Sequence, residues 1–200
     1  MTVKQRAARA DRAAATRERV LDAAAPLLVR QGYLETTMAA LARAAGVAVQ
    51  TLYLSFGSKA AVLEALLARD RPIGRPPADL AAEADGPRAL AAHVAATAAE
   101  VARRHPLAAV LRAAAADPEP AALLAAERAA ALAVHAAAVD ELADRPGFTH
   151  EVSLQRATDS MAALLAPETY ALLVTGQGWT VPDWADWATR HLVAELFPGR

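Results

Sequence analysis

The side chains best suited to chemistry crowd into one short stretch, Thr36 to Lys59, which reads TTMAALARAAGVAVQTLYLSFGSK. Thr37, Gln50, Thr51, Tyr53, Ser55 and Lys59 supply hydroxyls, an amide, a phenol and an ammonium. These groups are donors for recognition rather than an acid–base relay. Catalytic spacing is missing elsewhere in the chain. His150-Glu151 is not followed by a second histidine at the zinc-protease interval. Gly176 and Gly178 have neither a preceding strand nor a third glycine, and no Gly-x-Ser-x-Gly occurs. No His, Asp and Glu cluster has metal-ligand spacing. The chain has no cysteine, which excludes disulfides and thiolate metal sites. The reading therefore assigns no catalytic residue, no metal and no cofactor, and a cofactor-free enzyme is the weakest of the functional classes.

The elements that must position these donors are helices. From Thr16, the residues Val20, Leu21, Ala24, Leu27 and Leu28 recur at helical spacing, with Pro26 inside the pattern and Gln31-Gly32 closing it. Thr36 or Thr37 caps a second helix that Gly46 stops. A third runs from Val49 to Phe56 and ends at Gly57, and Ser58 caps a fourth that reaches about Arg69. Two short helices joined at a turn glycine form a helix-turn-helix. Gly46 permits positive φ at the turn. Leu41, Val47 and Leu52 close a small core beneath it, holding the third helix rigid enough to lie in a major groove.

Charge supports a polyanionic partner for this region alone. The chain carries a net charge of −1, yet residues 1–69 hold ten basic and five acidic groups, so the acidic excess lies entirely in the remainder. The alternative is a soluble protein with a basic tail. Residues 1–12, with Lys4, Arg6, Arg9 and Arg12, read as a poorly ordered basic arm that reaches a minor groove or phosphates.

Several signs at fixed offsets carry a resemblance to the tetracycline-repressor (TetR) family of transcriptional regulators. They are Gly32-Tyr33, Thr36-Thr37, Ala44-Ala45-Gly46-Val47, Thr51-Leu52-Tyr53 and Phe56-Gly57-Ser58-Lys59, within about residues 16–69. The resemblance implies that Tyr53 and Lys59 contact DNA phosphates, with Thr37, Thr51 and Ser55 as neutral donors and Arg43 reaching the backbone. Lys59 would also sit at the N-terminus of the fourth helix, whose dipole favours an anion. Val49, Gln50 and Leu54 match the groove-facing side. The Gln50 amide suits an adenine edge; Val49 and Leu54 suit thymine methyls. Two residues depart from the family pattern. Ala48 stands where a serine or threonine often caps the reading helix, a loss of roughly 1 kcal/mol, and Met38 lacks polar reach.

Beyond Asp70–Pro77 (DRPIGRPP), the best linker signal, the sequence predicts helices over 87–105, 106–116, about 121–144, 151–166, 168–175 and 182–197. The fold class is all-α. A three-helix helix-turn-helix DNA-binding head with its basic arm (1–70) is followed by a C-terminal helical bundle for effector binding and dimerisation (71–200). Hydrophobic residues make up 55% of the chain, dominated by alanine, a strong helix former that adds little core area. The resemblance implies a small effector, for which His93, Thr97, Leu111, Arg112, His135 and Met161 are pocket candidates; the preponderance of alanine and leucine suggests an apolar one. His93 and His135 also read as ordinary core or surface histidines, and Met161 as core filler. Trp184, Trp187, His191 and Leu192 share one face of the last helix. They suit either a homodimer interface or the protein's own core.

Together the residues and the resemblance imply a homodimeric regulator of double-stranded DNA, its response to a small molecule being what the resemblance implies. With no apolar leader and no non-alanine apolar run of about 18 residues, the expected place is the cytoplasm, without a membrane. The alternative is an all-helical small-molecule-binding or scaffold protein with a degenerate DNA-binding head.

Overall fold

The computed structural model describes residues 3–69 and 80–199, with side chains from Asp11 onward except at residue 81. The expected linker, 70–77, and the side chains of Lys4, Arg6 and Arg9 lie outside the described residues. Among the described residues the regular elements are helical. They are α1 (Val3–Glu35), α2 (Met38–Ala45), α3 (Val49–Phe56), α4 (Lys59–Arg69), a short 3₁₀ turn at Leu80–Ala82, α5 (Gly86–Ala113), α6 (Pro118–Ala143), α7 (Leu154–Leu164), α8 (Pro167–Tyr170) and α9 (Val181–Leu196). A π-helical stretch, Ala171–Gly176, continues α8.

The chain forms two compact units. The first comprises residues 1–71 and 106–124, the second 72–105 and 125–200. The first unit owes its core to the apolar period read from the sequence. Val20, Leu21, Ala24, Leu27 and Leu28 of α1 are buried with Leu41, Leu52 and the α4 residues Val62, Leu63, Leu66 and Leu67. Val47 packs against this cluster, and Met38, without polar reach, is buried in it. Leu107, Val110, Leu111 and Ala114 complete it. Arg69 ties α4 to α1 through Asp22 at 2.7 Å, an exposed pair that contributes about 0–1 kcal/mol.

Two helix boundaries differ from expectation at proline or alanine. The helix predicted to begin at Thr16 begins at Val3, so the backbone of the basic arm is helical from that residue; alanine-rich sequence favours helix without any apolar stripe. Pro106, read as a break between two helices, lies inside the continuous α5. A proline there removes one backbone donor, and burial on either side offsets it: Ala98 lies in the second unit's core and Leu107 in the first's. Pro26 is likewise inside α1, whose regular geometry breaks only at Gly32, with φ 78° and ψ 170°.

The second unit buries Leu90, Val94 and Ala98 of α5, Ala138, Val139 and Leu142 of α6, and Met161, Trp184, Leu192, Leu196 and Phe197 around them. Thr180 and Asp183 form a capping box at the start of α9. α6 is long and apolar enough to cross a membrane by length and composition, a property it owes to alanine.

Candidate nucleic-acid interface

The turn between α2 and α3 is built by local chemistry. Thr37 caps α2, its hydroxyl oxygen accepting from the Ala40 amide at 3.1 Å. Gly46 adopts the left-handed conformation, φ 65° and ψ 36°, and its N–H returns to α2 carbonyls. The two helix axes differ in direction by 106°, within the range of a helix-turn-helix. Ala48, before α3, offers no side-chain cap, so the third helix lacks the stabilisation that the second has.

Leu52 seats α3 as its one fully enclosed residue, and half-buried Phe56 packs against the same core. Val49, Gln50, Thr51, Tyr53, Leu54 and Ser55 are all exposed, Leu54 at 82% and Tyr53 at 51%. Leaving Val49, Tyr53 and Leu54 in water on a helix of eight residues serves no core. The helix leaves methyls, an amide and a phenol exposed at the surface. Thr37, the cap of α2, and Arg43 on α2 are exposed.

Two expected donors are already engaged. The Ser55 hydroxyl donates to the Thr51 carbonyl at 2.9 Å, so its proton is turned back onto the helix. Lys59 is half-buried. Its ammonium donates to the carbonyls of Tyr33 and, at 2.8 Å, Thr36, and sits 4.1 Å from the centre of the Tyr33 ring. Burial pulls the Lys59 pKa down, while Asp117 and Glu35 push it back up. The Tyr33 phenol moves up from its ordinary value through burial and the nearby acids Glu119 and Asp117. Lys59 thus joins the start of α4 to the end of α1. Two of its three donor positions are spent inside the protein.

One residue the sequence reading did not single out stands beside α3. Arg17, on α1, donates from Nη1 to the Ser55 carbonyl at 3.0 Å, and its guanidinium lies 4.2 Å from the centre of the Phe56 ring. The two residues are 38 positions apart, so no local pattern pairs them.

The pocket candidates divide between the units. His93, Thr97, His135 and Met161 lie in the second unit. His93 Nε2 and His135 Nδ1 are 3.4 Å apart, with rings edge to face. Burial pushes both imidazoles down to about 4, and for His93 the neighbouring His135 adds to the effect. Both are therefore neutral near pH 7. His93 Nδ1 and Thr97 Oγ1 are buried without a hydrogen-bond partner among the described residues. Met161 is fully buried in the same unit's core. Leu111 and Arg112 belong to the first unit, and Leu111 is a fully buried part of its core, so its apolar side chain is spent on packing.

The shared face of α9 also resolves into different roles. Trp184 and Leu192 are fully buried within the second unit. The Trp184 indole N–H donates to the Leu164 carbonyl at 3.1 Å and its ring meets Tyr170 edge to face. Neither can present surface to another copy, because helical spacing points them at their own core. Trp187 is half-buried against Trp179, and His191 is exposed, its Nδ1 2.8 Å from the Trp187 carbonyl.

With this geometry in place, comparison with known proteins is informative. The model for bacterial regulatory proteins of the tetR family matches residues 20–66. Among solved structures the chain resembles NalD of Pseudomonas aeruginosa, the secondary repressor of the MexAB-OprM multidrug efflux pump. Identity is 18%, coverage is 95% of this chain and 100% of that one, and the TM-score is 0.73. It also resembles the regulator FadR of Bacillus subtilis, solved with stearoyl-CoA, at 19% identity, 89% and 98% coverage and a TM-score of 0.69. GusR of Salmonella enterica matches at 22% identity, 90% and 95% coverage and a TM-score of 0.67. At these identities the solved structures establish a shared fold. No curated protein sequence matches the chain.

Proposed function

We infer from the match of residues 20–66 to the tetR family of bacterial regulatory proteins, and from the fold shared with its regulators, that this chain is a DNA-binding transcriptional regulator, and we propose that it is a ligand-responsive repressor. In this reading a cytoplasmic homodimer binds a palindromic operator, and an effector held in residues 71–200 changes the spacing of the two heads. The observation that carries the DNA side is α3, which packs Leu52 and half-buried Phe56 against the core and leaves six neighbouring side chains exposed, open to an external partner. One short reading helix gives little specificity; paired half-sites a helical turn or two apart supply more. The enzyme class has no support from the residues.

Thr37, Arg43, Thr51, Tyr53 and Lys59 are proposed to face phosphates, and Val49, Gln50 and Leu54 base edges. Ser55 contributes an acceptor, its proton being engaged. For the effector, His93, Thr97 and His135 form the best-supported anchor: His93 Nδ1 and Thr97 Oγ1 are buried without a hydrogen-bond partner among the described residues. Neutral imidazoles and a hydroxyl favour an uncharged hydrogen-bonding group on an apolar body. The fold shared with FadR, solved with stearoyl-CoA, is compatible with such a ligand. The effector acts by binding one dimer geometry better than the other.

Duplex binding measured against salt tests the reading. A regulator neutralising six or more phosphates loses roughly a thousandfold or more in affinity between ~50 and ~200 mM salt. Tyr53→Phe should weaken all sequences alike, and Gln50→Ala should change the preference among them. Salt-insensitive binding with both variants unchanged would overturn it. The uncapped start of α3 favours the second reading, a small-molecule-binding protein with a degenerate head, which predicts no preference among duplexes at any salt.

A further inference from the structure

We propose that Arg17 is a positioning residue that seats the reading helix, so that it governs sequence preference without itself touching DNA. The proposal rests on the DNA-binding reading above and deepens it. α3 is short, and a helix of eight residues in isolation is not stable. Its N-terminus has no side-chain cap, its last turn holds no basic residue of its own, and Leu52 is its one fully buried residue, with half-buried Phe56 beside it against the core. Its end therefore depends on what other elements bring to it. Arg17 brings two things at once. Its Nη1 satisfies the Ser55 carbonyl, one of the last four that a helix leaves unbonded. Its positive charge stands at the negative end of the helix dipole. The guanidinium also lies over the Phe56 ring, and such a stack fixes the plane of the group as well as its position.

The consequence is geometric. Tyr53 and Leu54 immediately precede the bonded carbonyl, and with Val49 and Gln50 they form the exposed face. If the end of α3 frays, these side chains lose a defined direction, and contacts to base edges suffer more than contacts to phosphates. A residue that bound phosphate would behave differently. Its loss would weaken every duplex equally and lower the salt slope by about one.

The experiment uses the full chain, wild type and Arg17→Ala. One duplex of about 30 base pairs is selected by the wild type from a randomised pool, and a second of equal length is unselected. Arg17→Ala should lower affinity for the selected duplex roughly fivefold, leave the unselected duplex unchanged, and leave the salt slope unchanged. In the free protein, amide hydrogen exchange over Tyr53–Gly57 should accelerate by a similar factor while α4 amides stay protected. Ala48→Ser, which restores a cap at the other end of the helix, should return that exchange toward the wild-type rate in the Arg17→Ala background. Equal weakening of both duplexes with a shallower salt slope would make Arg17 a phosphate contact and overturn the proposal. So would unchanged exchange in α3, or acceleration spread evenly over the first unit. Should the wild type enrich no duplex, the DNA-binding reading fails on its own, and exchange in α3 still decides whether Arg17 seats the helix.

Discussion

The Lys59 ammonium bonds the carbonyls of Tyr33 and Thr36 and rests on the Tyr33 ring, so a single cation fastens α4 to the corner between α1 and α2. The corner it closes is the one from which the helix-turn-helix departs, and Thr36 there is itself fully buried, its hydroxyl donating to the Gly32 carbonyl at 2.7 Å.

Lys59→Met keeps the length of the side chain and removes the charge. Both carbonyls then lose a charge-assisted partner, and the first unit should lose about 1–3 kcal/mol of stability, read by thermal unfolding. If Lys59 acted solely on phosphate, stability would hold and only the salt slope of DNA binding would fall, by about one.

The buried histidine pair predicts a pH dependence with a definite sign. The folded-state pKa values of His93 and His135, about 4, lie below the ordinary histidine value of 6.5. The unfolded chain therefore binds more protons between these limits. The stability contributed by the neutral pair is fully present above pH 6.5 and is lost as pH falls through 6 and 5 toward 4. With both groups titrating in the unfolded state, the loss approaches ~2.7 kcal/mol per pH unit in the middle of the window. His135→Leu should about halve that slope in denaturant unfolding between pH 4 and 6. An unchanged slope would show that the pair is charged or hydrated in the folded protein.

On α9 the two tryptophans should separate cleanly. Trp184→Ala removes a fully buried indole and its bond to the Leu164 carbonyl. It should cost about 3–5 kcal/mol. Trp187→Glu changes a half-buried residue and should be milder on folding. If this edge of α9 lies in the proposed dimer, sedimentation should show Trp187→Glu shifted toward monomer. A dimer of unchanged affinity places the interface elsewhere.

Gly86 opens α5 against the second unit's core. A Cβ built there would clash with Cε1 and Cζ of Phe197, a ring fully buried and in edge-to-face contact with Phe148. Because the clashing ring is fully buried and must shift, Gly86→Ala should destabilise by about 1–3 kcal/mol, although alanine is the better helix former. A neutral or stabilising effect in thermal unfolding would show that the ring yields.

The residues of the head explain why so much of it was legible in one dimension. Thr37, Gly46 and Leu52 act on neighbours within a few positions, through a cap, a left-handed turn and an apolar side chain at the right phase. Such short-range geometry is written in spacing. The absent cap at Ala48 is legible for the same reason. The tertiary structure decided what depends on groups far apart in the chain. Lys59 spends its ammonium on carbonyls 23 and 26 residues earlier, and Arg17 reaches a carbonyl 38 residues later. Periodicity gave Trp184, Trp187, His191 and Leu192 a common face, but only packing turned two of them wholly inward and left His191 outside. Leu111 joined the head's core, and α5 ran through Pro106. The physical reason is the same throughout. Caps, turns and helical phase are set by bonds between near neighbours, whereas the partner of a long side chain and the side on which an apolar residue is buried follow from which elements meet in space.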